Sequence, residues 1–390
     1  MTFATILRMR LVSQRLVGIP EQSEGNDRDS RGIEGNGRGG ARDDAPTKDS
    51  RNEALTKVPA TPADVVAGFG AMQSQDYPMS KWAVGLRMKE GSDEQVEEAI
   101  DRGEILRTHV LRPTWHLVAA ADIRWMLELT APQIRAKMAF RERYLELDKK
   151  ILARCRKLIV SSLAKKAQLT RAELVAILQK AGIATDDNRS AHILIDAELD
   201  GLICSGSGKT SYALLEERAP SARRLSREEA LAELTRRYFG GHGPATLQDF
   251  SWWSGLLVRD VKKGIASLGT ELRSMKTGEK EYWLLADRDG MGLPRMPSAL
   301  LLPAFDEWII GYADRAGLFA TEHERKIITV NGLFRPVLFC NGQAVGSWRP
   351  VGKKGGVEID KELFHQVTPA VEKALKLAER KYSTYLYTRR

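Results

Sequence analysis

One pattern occurs three times between residues 61 and 286: capped helices, further helices, then two short strands around a polar turn. A side-chain cap supplies an acceptor to backbone N–H groups that a helix start leaves orphaned, so caps mark where helices begin. In the first copy Thr61-Pro62-Ala63-Asp64 sets a hydroxyl at the N-cap, proline at the first helical position and an acid near the helix dipole. Ser92-Asp93-Glu94-Gln95 is a capping box, and strands over 104–109 and 114–118 flank Leu111-Arg112-Pro113. The second copy starts with the capping box Thr170-Arg171-Ala172-Glu173, and Leu174, Ile177 and Leu178 form its inward stripe. A helix over 189–199 follows, then strands over 201–205 and 210–215 joined by Gly206-Ser207-Gly208-Lys209. The third opens on Ser226-Arg227-Glu228-Glu229 and breaks at Gly243-Pro244. A short helix over 246–253, a candidate recognition helix over 257–268 and a hairpin over 271–286 complete it. Helix, turn, helix and basic-tipped hairpin is the layout of a winged helix, so the expected fold class is α+β with three tandem winged-helix motifs.

Beyond Pro303 the pattern turns to strands. Asn331-Gly332 and Asn341-Gly342 separate apolar runs at 325–330, 334–340 and 343–349, and Asn-Gly suits a type I′ turn, which needs φ > 0 twice. A helix over 369–381 follows. These runs predict a small β-barrel or curled sheet with a terminal helix against it. At the other end, residues 3–18 read as a basic amphipathic helix with Ile6, Leu7, Leu11, Leu16 and Val17 on one side. Residues 21–54 hold six glycines, fifteen charges and no aromatic residue, a composition too polar to offset chain entropy. They predict a disordered insertion. The expected domains are 1–118, 119–218, 219–298 and 299–390.

Charge narrows the function. The chain carries +9, yet 21–54 contributes six basic and nine acidic residues, leaving +12 on the remainder. Such a surplus points to a polyanionic partner, with nucleic acid first. No apolar run approaches the ~20 residues of a membrane span, and no secretory signal follows the N-terminus. Cys155, Cys204 and Cys340 are odd in number and widely spaced, which excludes a disulfide framework and any CxxC pair. A cytoplasmic, nucleoid-associated protein is expected.

Few residues invite catalysis. Of six histidines only His109 and His116 sit where a hairpin could bring two together, so no metal site is expected. The GSGKT at 206–210 joins two strands, so it is a wing and not a P-loop. Trp252 and Trp253 read first as core, and Asp306-Glu307 is set aside because consecutive side chains diverge on any regular element. There remains Gln73-Ser74-Gln75 at the end of a helix. Two residues apart on an extended segment, the glutamines share a face, and their amides both donate and accept without charge. Pro78 is expected to push Tyr77 out of the α region.

The chain resembles the AlkZ-like winged-helix DNA glycosylases throughout, apart from 21–54. The resemblance rests on RMRLVSQRL (8–16), QSQDYP (73–78), RTHVLRPTWHLV (107–118), AELDGLICSG (197–206), GPATLQDFSWWSG (243–255) and LPAFDEWIIGYADR (302–315). It implies three winged helices and a C-terminal β-barrel, arranged as a concave basic surface around duplex DNA. It also implies catalysis by two glutamines flanking an inward-facing residue, here Gln73 and Gln75 about Ser74, where the family usually has an apolar side chain. The activity implied is monofunctional excision of N7-alkylated bases, crosslinks included, from double-stranded DNA by a monomer without cofactor. Arg107, His109, Arg112 and His116 of the first hairpin and Lys209 of the second are expected to bind DNA. The rival reading is a non-catalytic DNA-binding regulator.

Overall fold

The computed structural model describes residues 2–17, 61–288, 292–315, 317–353 and 355–388, so the expected insertion lies outside the described residues. The first unit runs α1 (Phe3–Ser13), α2 (Pro62–Phe69), β1 (Ala71–Gln73), α3 (Tyr77–Leu86), α4 (Asp93–Asp101), β2 (Ile105–His109) and β3 (Trp115–Ala119). Its strands form a sheet of order β1-β3-β2, with Gln73 opposite His116 and Thr108 opposite His116 from the other side. Capping boxes at Thr61 and Ser92 start α2 and α4. Asp76 caps α3 by accepting from Met79 N, 3.1 Å. Tyr77 is then the first helical residue, so the expectation that Pro78 excludes it from the helix fails: proline is tolerated in the first turn, and the Asp76 cap fixes the entry.

The second unit follows α5 (Ile123–Tyr144) and comprises α6 (Lys149–Leu163), β4 (Leu169–Thr170), α7 (Arg171–Lys180), α8 (Arg189–Leu199), β5 (Ile203–Ser205) and β6 (Ser211–Leu214). Its sheet order is β4-β6-β5. The third comprises α9 (Arg227–His242), α10 (Leu247–Ser254), α11 (Val258–Leu268), β7 (Leu272–Thr277) and β8 (Lys280–Leu285), and Ala245 bridges Trp283 in place of a third strand. Helix, short extended segment, two helices and hairpin thus recur three times. The first extended segment in each was not legible because two or three residues carry no period.

The C-terminal part departs from the expected barrel. Its strands are β9 (Leu300–Leu302), β10 (Val337–Cys340), β11 (Gln343–Lys353) and β12 (Gly356–Leu363), in the order β12-β11-β10-β9, an open sheet among the described residues. The expected strand at 325–330 is instead a helical turn at Glu324–Ile327 followed by one bridge, Ile328 to Phe334. The place beside β10 is already filled by Leu300–Leu302. Asn341-Gly342 does turn β10 into β11, with φ of 48° and 96°. The mostly polar β12 was not foreseen. The terminal helix α12 runs Pro369–Tyr387, past the expected end. Its Tyr382 ring lies 5.0 Å from both Trp82 and Trp348, joining the first unit and the C-terminal sheet in one core.

α1 is no surface helix with a basic face. Arg10 is buried, donates to Pro244 O (2.8 Å) and lies 3.7 Å over the Tyr312 ring, while Arg8 donates to Pro294 O (2.7 Å). At Gly85 in α3 a Cβ would stand 2.1 Å from Cε2 of the buried Tyr385 ring. Gly85→Ala is therefore expected to destabilise by about 1–3 kcal/mol through overpacking, despite alanine's better helix propensity. A urea midpoint equal to or above that of the parent protein would contradict this.

Candidate active site

The two glutamines sit where β1 ends and the chain turns into α3. Ser74 N–H donates to Trp115 O (2.7 Å), which keeps the strand paired one residue beyond β1. Alternation then sends Gln73 and Ser74 to different sides. Ser74 is fully buried and its hydroxyl meets Ser80 Oγ at 2.8 Å, so a polar middle residue is satisfied inside the protein. Gln73 is buried and Gln75 exposed.

Both amides are oriented. Gln73 Oε1 accepts from Arg112 Nη2 (3.0 Å), and Gln75 Oε1 accepts from Trp115 N–H (3.3 Å). Arginine and a backbone N–H can only donate, so each amide must turn its oxygen to them and keep its NH2 for another partner. Behind Gln73 stands Glu307, wholly buried at the start of the short helix α13, placed between β9 and β10 at Glu307–Ile310. Its Oε1 accepts from Gln73 N–H (2.9 Å), and its Oε2 accepts from Trp253 Nε1 (2.9 Å) and His242 Nε2 (3.1 Å). Burial alone would raise its pKa, but these bonds and His242 outweigh it and hold the carboxylate below its usual range.

Asp306-Glu307, expected to lie apart from the glutamines, sits beside them. The two side chains do diverge, Asp306 to Arg87 and Glu307 to Gln73, and that divergence is what brings one carboxylate against the Gln-Ser-Gln run. A signal was available in the concentration of polar residues within 306–315, an otherwise apolar stretch. Trp253 is core, as read; Trp252 is half-buried, with the guanidiniums of Arg112 and Arg315 each 4.6 Å from its ring centroid.

The expected DNA contacts divide. Arg107 is buried, donates to Ser74 O (2.9 Å) and lies 4.3 Å from the Trp115 ring, so it braces the glutamine turn from inside. His109 is buried and meets Glu198 Oε2 at 2.7 Å through Nδ1. His116 is buried with Nδ1 on Thr114 O (2.8 Å); burial, then the Arg112 charge, pushes it down to about 3, so it is neutral near pH 7. These three side chains are buried among protein partners. The strand register also sets His109 and His116 on opposite faces of the hairpin. Among the described residues no three His, Cys, Asp or Glu side chains gather as a metal site. Arg112 is half-buried beside Gln73, and Lys209 is exposed at its turn. Unforeseen was the reach of β11–β12: the outer half of β11, from Arg349 to Lys353, is exposed, extending roughly 17 Å at strand rise.

The site is thus a pair of neutral, oriented amides, one of them held by an arginine, on a mixed α/β frame. Comparison with known proteins supplies the class. The model of the family described as DNA glycosylase AlkZ-like matches residues 66–385, so the chain belongs to the AlkZ-like DNA glycosylase family. It is 23% identical over 316 residues, 75% of this chain and 83% of the relative, to the interstrand DNA cross-link repair glycosylase of Streptomyces sahachiroi. Its fold is similar to the solved structure of Streptomyces sahachiroi DNA glycosylase AlkZ, with a TM-score of 0.73 at 18% identity, over 100% of this chain and 99% of the other. No helix among the described residues is long and apolar enough to cross a membrane.

Proposed function

We propose that this protein is a monofunctional DNA glycosylase that hydrolyses the N-glycosidic bond of N7-alkylated purines in duplex DNA, interstrand crosslinks included. The observation that carries the reading is the pair of glutamines, each fixed by a donor that orients its amide. N7 alkylation already puts positive charge on the base, so the base leaves easily. The enzyme need only hold a water and stabilise an oxocarbenium-like sugar, work that oriented neutral amides perform without a strong acid or base. Ser74 does not disturb this, since its hydroxyl is used up against Ser80.

The three repeated units act as winged helices, in divisions at 1–118, 119–218 and 219–298, with 299–390 carrying the sheet and α12. Together they present a concave basic surface to double-stranded DNA, and the protein works as a monomer associated with the nucleoid. Arg112 and Lys209 remain the contacts of the original set that DNA can reach. The exposed β11–β12 ribbon adds Arg349 and Lys353, paired across the ribbon with Asp360 and Glu358 that a phosphate would have to displace, and a two-stranded ribbon is of a size to enter a groove.

Two measurements test this. A duplex with one site-specific N7-methylguanine is expected to become alkali-labile at that position without added metal. Affinity for undamaged duplex is expected to fall with salt at about 0.9 in log K per log salt for each phosphate neutralised. No release from N7-methylguanine or crosslinked duplex removes the catalytic reading; a flat salt dependence removes the nucleic-acid reading.

A further inference from the structure

The cations gathered beside Gln73 are more than the protein itself uses. Arg112 spends one N–H on Gln73, and Arg315 donates Nε to Ile309 O (2.9 Å), yet Arg112 Nε and Arg315 Nη2 are buried without a partner. Both guanidiniums lie over the half-buried Trp252 ring. Lys137 of α5 converges on the same place: a Cβ on Gly255 would meet its Nζ at 3.3 Å and Arg112 Cγ at 3.5 Å. Among the described residues none of the three cations forms an ion pair. Glu307, the nearby carboxylate, has both oxygens committed to Gln73, His242 and Trp253.

Two guanidiniums partly withdrawn from water with no carboxylate in contact, and a third cation beside them, are unfavourable. The strain shows in Arg112, which burial brings down to about 10 against the opposing charge of Glu307 and with a smaller push from Arg315, and in Lys137, which burial and then Arg112 push down. A phosphodiester relieves it. Guanidinium forks match phosphate oxygens, and a ring beneath holds the fork flat before the ligand arrives.

We propose that Arg112, Arg315 and Lys137 form a phosphate subsite that takes the backbone phosphodiester next to the nucleotide whose base is removed. The subsite deepens the glycosylase reading and rests on it for the identity of that nucleotide. Because Arg112 holds Gln73 through Nη2 and leaves Nε unpartnered, a seated phosphate and the amide share one guanidinium. Phosphate binding thereby fixes where the sugar stands relative to Gln73.

The experiment measures affinity, not excision, so it separates from the catalytic reading. Duplexes carry a stable tetrahydrofuran abasic analogue and a single neutral methylphosphonate walked through the phosphates flanking it. On all-phosphate duplex, Arg315→Gln and Lys137→Gln are each expected to lose about tenfold or more in affinity, the scale of a charged hydrogen bond. At one phosphate adjoining the analogue, the methylphosphonate should weaken the parent protein similarly and the variants no further. Lys137 is exposed, so its variant folds whatever becomes of Arg315→Gln. The proposal is overturned if both variants bind as the parent does, or if variant and methylphosphonate losses add at every position. Coupling in a protein that releases no base would keep the subsite and discard the reaction.

Discussion

Gln75→Ala is expected to slow excision of N7-methylguanine by about 10²–10³, the usual cost of one positioned polar contact to a transition state, with duplex affinity unchanged. The split follows from charge and position. An amide neutralises no phosphate, so binding and its salt dependence lose nothing. Gln75 is exposed at the end of the β1 extension and its oxygen holds only Trp115 N–H, so its loss leaves the core intact. Gln73→Ala should lose rate to a similar degree, with some stability, because it also frees the buried end of Arg112. Single-turnover rates on one site-specific lesion, beside affinity for the same duplex, distinguish the outcomes. Both variants at full rate would take catalysis away from the amides and turn attention to Asp76. A fall in affinity matching the fall in rate would show that Gln75 only binds.

What was legible in the chain is what carries a local signal. Capping boxes at Ser92, Thr170 and Ser226 each begin a helix, and the polar turns at Gly206 and Thr277 each join two strands. Asn341-Gly342 makes its turn, but Asn331-Gly332 does not join two strands, because β10 already has neighbours in β9 and β11 and sequence spacing does not report which places in a sheet are taken. The site was half legible for a similar reason. Gln73 and Gln75 are neighbours in the chain, whereas Glu307 reaches Gln73, and His242 and Trp253 reach Glu307, across long stretches of chain, and only packing reveals the contacts. Burial was harder to read: Arg107, His109 and His116 alternate on a hairpin as surface residues do, yet Arg107 meets Ser74 O, His109 meets Glu198 of α8 and His116 meets Thr114 O, contacts that spacing does not report.

The same region sets the second large effect. Asp306→Ala is expected to cost about 3–5 kcal/mol, the price of leaving one member of a buried ion pair without its partner. Asp306 and Arg87 are both wholly buried and joined by two hydrogen bonds, Nη1 to Oδ2 at 2.8 Å and Nη2 to Oδ1 at 2.9 Å. Arg87 Nη2 also donates to Gln14 Oε1 (2.8 Å), and Asp306 Oδ1 caps α13 at Trp308 N (2.9 Å). Removing the carboxylate strands the guanidinium, uncaps α13 and loosens the link from α1 to α3. In a protein of ordinary stability, about 5–15 kcal/mol, this takes about a fifth or more. Replacing both partners, Arg87→Met with Asp306→Ala, should cost less than the two single changes added together, because no charge is then left buried. The site should feel it as well. Glu307 follows Asp306 directly, so the uncapped helix lets the Gln73 backbone contact drift, and excision should slow even where the variant remains folded. Denaturant midpoints for the two single variants and the double variant, with rates taken well below the transition, decide the matter. An Asp306→Ala midpoint within about 1 kcal/mol of the parent would show that water reaches Arg87 once its partner is gone. Unchanged excision in a clearly destabilised variant would show that Glu307 holds Gln73 without help from its neighbour.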